Sequence, residues 1–587
     1  MKTKYYLIVA LAGLIGLNSC SEDLLDIDRH GVMPTDQYYK TDQDAEEALA
    51  VIYQYAFTAL YHGWLTPYPF IKNCLSDDVF AGGQKRNDQF LYESLNEYTF
   101  EAQNAYILLY FQNMYNLVYR CNLIIDNFSG DNMNTAAKKA AVAQAKVWRA
   151  WAYIELITLW GTPPLVDHCL APDEYQQPNG DPQELWNLVT SDLTDAINSG
   201  SLEKKQTKND KITTVTEGYA QALLGKAYVF MTYSLAGGAK GGQEAIAAVA
   251  ASKNSPYWKN AVEAFDRVIN SGMYELYDGP FQDIMKTTTN WCSENMFEFN
   301  RIFNSANTST NLVSYFEMFL IGWDATSVIG YGTELPCNRS SNFLGPRKGV
   351  YDAMVAWSGE DNPRTWGSIR TYDQLVEKMG CGVKEGVYSI YANEGVFDMK
   401  YFRYEDKDCK TNHQTEKDYP LMRYAEVLLL AAEANLMAGN QAKADEYMNI
   451  VRRRAQLPDM TGVTLYDIQQ EKRCELYNEG VRGYDLIRWG LAPEFLGNQG
   501  GTVSYFTAYT AGADYDAAGN LVSLNSTAEG TASQGGETYQ LGISKVQINE
   551  SGYGFKAGKH ELLPFPQNEI LLSGEIVGGP LKQNPGW

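Results

Sequence analysis

The chain has 587 residues, with 71 Asp and Glu against 48 Lys and Arg, and a formal net charge of −23. So acidic a surface argues against nucleic acid as a partner, because phosphates need neutralising by Lys and Arg, and against electrostatic docking on anionic lipid. With 41 Tyr and 12 Trp, some aromatic rings must lie at the surface, where Tyr and Trp suit amphipathic ligands.

The chain opens with Lys2 and Lys4, then an apolar run from Leu7 to Leu17, then Leu17-Asn18-Ser19-Cys20. A basic start, a short apolar segment and small residues before a cysteine are the spacing of a bacterial lipoprotein signal. The run is shorter than the ~20 apolar residues that span a bilayer. Residues 1–19 are therefore expected to be removed and Cys20 acylated, with more than one chain, since one alone anchors only marginally. Residues 20–40 read as a tether. Its acidic start, Ser21-Glu22-Asp23-Leu24-Leu25-Asp26, resembles the stretch that sends Bacteroidetes lipoproteins to the outer cell surface.

Residues 41–587 read as one domain. Apolar periodicity predicts helices over 42–60 behind a Thr41 cap, 106–127, 135–159, 184–197 after Pro182, 217–233, and 257–270 before the Ser271-Gly272 stop. They come in pairs with short polar connections. Gly218, Ala222, Gly225 and Ala227, and separately Trp258, Ala261, Ala264 and Phe265, have the spacing that lets tetratricopeptide-type units stack. Residues 278–419 mix Asn, Ser, Thr, Gly and aromatics and read as irregular, the kind of long loop that carries function. Helices return over 420–437, 441–456 and 465–480. Residues 493–544 read as a Gly-, Ser- and Thr-rich surface insertion with short strands and a turn at 516–520. The fold class is mainly α: degenerate tetratricopeptide-like repeats, a loop-rich region and short strands.

Besides Cys20 the cysteines stand at 74, 121, 169, 292, 337, 381, 409 and 474, with no Cys-x-x-Cys. Zinc-ribbon and thioredoxin spacings are thus missing. Cys121 and Cys474 fall inside helical patterns and read as buried thiols. Cys381 and Cys409 are the first disulfide pair to test, but the connectivity stays open. The five histidines, 30, 62, 168, 413 and 560, lack His-Glu-x-x-His spacing. No Gly-x-Ser-x-Gly elbow or phosphate loop occurs, so no metal, cofactor or catalytic residue is expected. A pair of glycosidase carboxylates stays open among so many acids.

Several segments carry a resemblance. The helix from Arg423 through Tyr424-Ala425-Glu426-Val427-Leu428-Leu429 to Ala434 resembles the most characteristic helix of the SusD/RagB family. In the right order follow Val451-Arg452-Arg453-Arg454-Ala455, then Arg473-Cys474-Glu475-Leu476 through Gly480, Arg482, Asp485 and Arg488-Trp489-Gly490. Leu563-Pro564-Phe565-Pro566 and Gln583-Asn584-Pro585-Gly586-Trp587 look like the family's tail. Trp148-Arg149-Ala150-Trp151 through Trp160-Gly161-Thr162-Pro163-Pro164 and the Ser76-Asp77 loop also fit. Ala431, Gln456 and Trp587 depart from the usual residues. The charged positions Arg423, Glu426, Glu433, Arg473, Glu475, Glu479, Arg482, Asp485 and Arg488 read as ion pairs locking packed helices, not as an acid/base constellation.

The resemblance implies a lipid-anchored protein on the outer membrane, facing the exterior. It would capture nutrient, usually glycan, for a SusC-like TonB-dependent transporter; RagB-like members imply peptide as the alternative ligand. A glycan-degrading enzyme is the third reading. Family ligand sites lie in the loops after the first helices and in the irregular middle. Sugar sites need aromatic walls and a few polar groups. The candidates by location and chemistry are Asp77, Asp78, Arg86, Tyr98, Phe100 and Asn104, then Trp291, Trp323, Tyr331 and Asn338.

Overall fold

The computed structural model describes residues 38–60, 67–83, 85–205, 214–301, 343–379, 387–402, 416–509, 514–515, 521–523, 531–534, 537–540, 542–574 and 580–587. Cys20 with its signal and most of the tether, Trp323, Tyr331, Asn338, the candidate pair Cys381 and Cys409, and the turn at 516–520 lie outside these residues.

The N-terminal half is built from α1 (Asp42–Leu60), α2 (Pro67–Cys74), α3 (Phe90–Glu97), α4 (Ala105–Asn127), α5 (Ala136–Trp160), α6 (Pro182–Asn198), α7 (Glu217–Ser234), α8 (Gly242–Ser252) and α9 (Tyr257–Asn270). The starts are written in the sequence. Thr41 and Asp44 cap each other's backbone N–H groups at α1. Asn104, Thr135 and Thr216 accept first-turn N–H groups at α4, α5 and α7. Such caps satisfy donors that the helix itself leaves orphaned.

The helices stack in chain order: α4 on α1 and α5, α5 on α6, α6 on α7, and α7 on α9. The closest approach needs Gly225, where a Cβ would stand 2.5 Å from the buried ring of Phe265. Trp148, Trp160 and Trp186 are among the largest fully buried side chains. Their size makes this layer the centre of one continuous core.

The second half adds α10 (Lys348–Ser358), α11 (Pro363–Ser368), α12 (Tyr372–Met379), α13 (Tyr424–Met437), α14 (Gln441–Arg454), α15 (Leu465–Glu475), α16 (Arg482–Arg488), α17 (Ala492–Leu496) and α18 (Gln567–Leu572). The first three correct the reading of 278–419 as irregular throughout. They are short, and Asn362 accepting the Arg364 N–H, with Pro363 at the first position of α11, is their clearest local signal.

Strands account for the other boundary corrections. They are β1 (Val79–Phe80), β2 (Asn295–Glu298), β3 (Gly345–Pro346), β4 (Ile369–Thr371), β5 (Val387–Tyr391), β6 (Val396–Asp398), β7 (Pro420–Arg423), β8 (Thr502–Tyr509), β9 (Asp514–Tyr515), β10 (Leu521–Ser523), β11 (Thr531–Gln534), β12 (Glu537–Gln540) and β13 (Gly542–Gln547). Residues 420–423 pair antiparallel with β2 instead of opening a helix. The helix expected over 465–480 stops at Glu475, because Asn478 and Gly480 take left-handed backbone, φ +59° and +77°. The segment over 493–544 is more than a surface insertion. Its strand β8 is the centre of the sheet β13-β8-β5 and buries Val503 and Phe506.

Among the described residues, no helix is long and apolar enough to cross a membrane. Cys121 and Cys474 are buried free thiols, and burial pushes both thiols well up.

Candidate functional site

Most of the early-loop candidates point inward. Asp77 and Asp78 follow α2 and meet the guanidinium groups of α15 and α16. Arg473 donates to Asp78 at 2.8 Å and to Asp77 at 2.8 Å, and Arg482 to Asp77 at 2.9 Å. Burial pushes the Asp77 carboxyl up, but Arg482 and Arg473 more than offset it and hold it below its ordinary range. Burial wins at Asp78, which also faces Asp77 and stays raised.

Tyr98 is buried and its hydroxyl donates to the Leu75 carbonyl at 2.9 Å. Phe100 packs on His560 and Trp587. Asn104 spends its side-chain oxygen on the α4 cap. Asp77, Asp78, Tyr98, Phe100 and Asn104 therefore hold the fold together instead of facing a ligand. Arg86 alone of this group keeps a partly open side chain, paired with Glu97 and Glu93.

Trp291 lies at a different corner, half-buried, with left-handed backbone at φ +56°. Its indole N–H donates to Asn300 Oδ1 at 2.8 Å and Asp418 Oδ2 at 3.1 Å. Beneath it, Glu298 and Lys417 are both fully buried, 3.5 Å apart. Burial raises Glu298 to about 7, against the lowering pull of Lys417. Burial likewise raises Asp418 to about 6, against Lys417 and Arg301. Residues 302–342 follow Arg301 in the sequence, and Glu416 contributes its carbonyl to Asn290 at this corner.

The motif-bearing helices meet in a buried charge network. Arg423 donates to Glu475 at 3.0 Å and to Glu479 at 2.9 Å, and also pairs with Glu294. Arg364 bridges Glu471 and Glu475. Arg488 holds Glu433 and Asp485 together, and Lys226 of α7 reaches Glu426 at 2.9 Å. Each of the charged positions singled out in the sequence is thus spent on a partner. A paired network of this kind fixes registry between helices. The C-terminal tail is pinned the same way. Asn584 donates to the carbonyls of Trp160 and Leu563, and the indole of Trp587 to those of Lys559 and Leu562.

One larger cleft opens on the helical face, with a volume of about 470 Å³. Its walls come from α4, the segment 164–177 and α18. Phe111 and Tyr115 lie at its base, and Tyr119 and Tyr175 at its mouth beside Leu572. Reading the sequence for irregular loops missed it. The available signal was Phe111, Tyr115 and Tyr119 at four-residue steps along α4, which placed a whole aromatic row on one helix face.

Two family models match most of the chain between them: the SusD family over residues 338–587, and starch-binding associating with outer membrane over 34–228. The chain belongs to the SusD/RagB family. A SusD-like protein of Formosa agariphila is 24% identical over 517 residues, covering 85% of this chain and 93% of the relative. A solved structure described as a laminarin binding SusD-like protein superposes with a TM-score of 0.69 at 22% identity, over 94% of this chain and all of that one. Surface glycan-binding protein A from Bacteroides thetaiotaomicron, in complex with laminarihexaose, gives 0.64 at 20% identity over 92% and 99%. These likenesses establish the fold as that of SusD-like proteins, helical repeats included.

Proposed function

We propose that this SusD/RagB member captures glycan at the cell surface and passes it to a SusC-like TonB-dependent transporter in the outer membrane. The observation that carries the reading is the match of nearly the whole chain to the fold of a laminarin-binding protein. The matched outer-membrane family description and the Leu17-Asn18-Ser19-Cys20 signal support its place, lipid-anchored through Cys20 and facing outward. The charge network argues against turnover, because it occupies the acids that the family motifs supply.

Capture runs through aromatic platforms and amide or guanidinium groups: Trp291 at its corner, Trp323, Tyr331 and Asn338 in the adjoining sequence, and Arg86. Ring faces shield the C–H face of a sugar, at ~25 cal/mol per Å² removed from water. Calorimetry on a panel of oligosaccharides and peptides tests this, with Trp291→Ala, Trp323→Ala and Tyr331→Ala beside wild type. Each loss should weaken glycan binding by roughly ten-fold, about 1.4 kcal/mol. Unchanged affinity in all three removes these residues from the site. Binding of peptide without glycan moves the reading to a peptide-capturing member. Reducing sugar released by purified protein refutes the non-enzymatic reading.

A further inference from the structure

The cleft on the helical face has the chemistry of a second sugar site, distinct from the corner at Trp291. Its base is rigid. Tyr115 donates to the Pro164 carbonyl at 2.7 Å, which fixes its ring. Gln112 donates to Glu569 Oε1 at 2.8 Å, tying α4 to α18. Its mouth is open and aromatic: Tyr119 and Tyr175 are 49% and 66% exposed, and Leu572 is 74% exposed. A volume of about 470 Å³ falls within the ~300–1,000 Å³ typical of small-ligand pockets.

The polar groups say what fits. Glu569 Oε1 is taken by Gln112, and its second oxygen is left to accept from a ligand. A purely apolar ligand would cover that carboxylate without pairing it, which is unfavourable. Among the described residues no Lys or Arg lines the cleft, so an anion would meet Glu569 without a direct cationic partner; Arg120, whose guanidinium lies 5.4 Å from the Tyr119 ring, donates instead to the Tyr55 hydroxyl. His168, on the cleft lining, is already bonded to Asp167 at 2.7 Å and Glu174 at 3.4 Å. What remains is a neutral ring that presents an apolar face to tyrosines and hydroxyl donors to a carboxylate.

We propose that the cleft formed by α4, the segment 164–177 and α18 binds a neutral oligosaccharide as a second site, stacked on Tyr119 and Tyr175 and hydrogen-bonded to Glu569. The inference extends the glycan reading above and shares no residue with it. A chain with two sugar sites holds a long polysaccharide at two points, which raises avidity without strengthening either contact.

The test is calorimetry with hexasaccharides of β-1,3-glucan, α-1,4-glucan, β-1,4-mannan and β-1,4-xylan, and with hexagalacturonate as the anionic control. Wild type, Trp291→Ala and the double variant Tyr119→Ala/Tyr175→Ala are compared. The double variant should fold normally, because both rings are largely exposed; its melting curve checks this. It should lose one class of neutral-sugar sites, with affinity down roughly ten-fold or more, and keep the class that Trp291→Ala weakens. Binding that only Trp291→Ala weakens sinks the second site and leaves the first reading standing. A cleft-dependent preference for hexagalacturonate also overturns the proposal. Wild type that binds none of the neutral sugars overturns both readings.

Discussion

His560 shows how one side chain records its surroundings. It is buried against Tyr98, Phe100, Phe555 and Trp587. Its Nδ1 accepts the Lys556 N–H at 2.9 Å, so the ring is neutral with its proton on Nε2. Burial first, then Lys559 and Lys556, lowers it from 6.5 to about 3. A depressed folded value means the unfolded chain binds the proton more readily. Stability from this group is therefore full above pH 6.5 and is lost as pH falls toward 3. The His560→Gln variant keeps an acceptor but no titration. The stability of wild type minus that of the variant should fall with pH from 6.5 downward, read from denaturant titrations at several pH values. A difference that stays flat contradicts the neutral ring.

At the scale of elements, two contacts decide how helices sit together. The first is the salt-bridge network. Glu475 is fully buried; burial pushes it up, but Arg454, Arg423, Arg364 and Lys400 pull it down to about 2. Its contribution is present above pH 4.5 and fades as pH falls toward 2. Replacing Arg423 by Met removes the cation that Glu294, Glu475 and Glu479 share and leaves Arg454, Arg364 and Lys400 to hold them. Breaking a buried pair costs about 3–5 kcal/mol, so the variant should melt well below wild type. Arg423→Met with wild-type melting and weakened sugar binding would instead make this arginine a ligand group. The second contact is the α7–α9 crossing. Gly225→Ala puts a methyl into the Phe265 ring, and overpacking of this kind costs about 1–3 kcal/mol. Urea denaturation should register it as a lowered midpoint.

For the whole molecule, the anchor and the body are separate problems. Cys20→Ala should release the protein from the membrane fraction with its fold intact, because the buried residues of the described core begin at Ala45. A variant that still fractionates with membranes contradicts lipidation at Cys20. Protease shaving of intact cells reads the outward orientation independently.

Six helices of the first half were legible in the sequence because each carries its own apolar stripe, whereas the shorter helices at 67–74, 90–97 and 242–252 were missed. Thr41, Thr135 and Thr216 fix starts locally, and a 3.6-residue period needs no distant partner. The ion-pair network was legible too, since Glu433 sits on a strongly apolar helix where a charge must be paired. The strand at 420–423 was not, because it exists only through its pairing with 295–298, more than a hundred residues away. For the same reason the burial of Val503 and Phe506 in a central strand was hidden. Tyr98 and Asn104 show the limit most plainly: their chemistry suits a sugar site as well as it suits packing. Only the arrival of Leu75 over the Tyr98 hydroxyl assigns that residue to the fold, whereas the Asn104 oxygen is claimed locally by the Tyr106 and Ile107 N–H groups of α4. By itself the sequence determined the family and the helical class, both of which rest on local order along the chain. The tertiary structure decided which aromatic rings face solvent, because burial depends on which distant segments cover them.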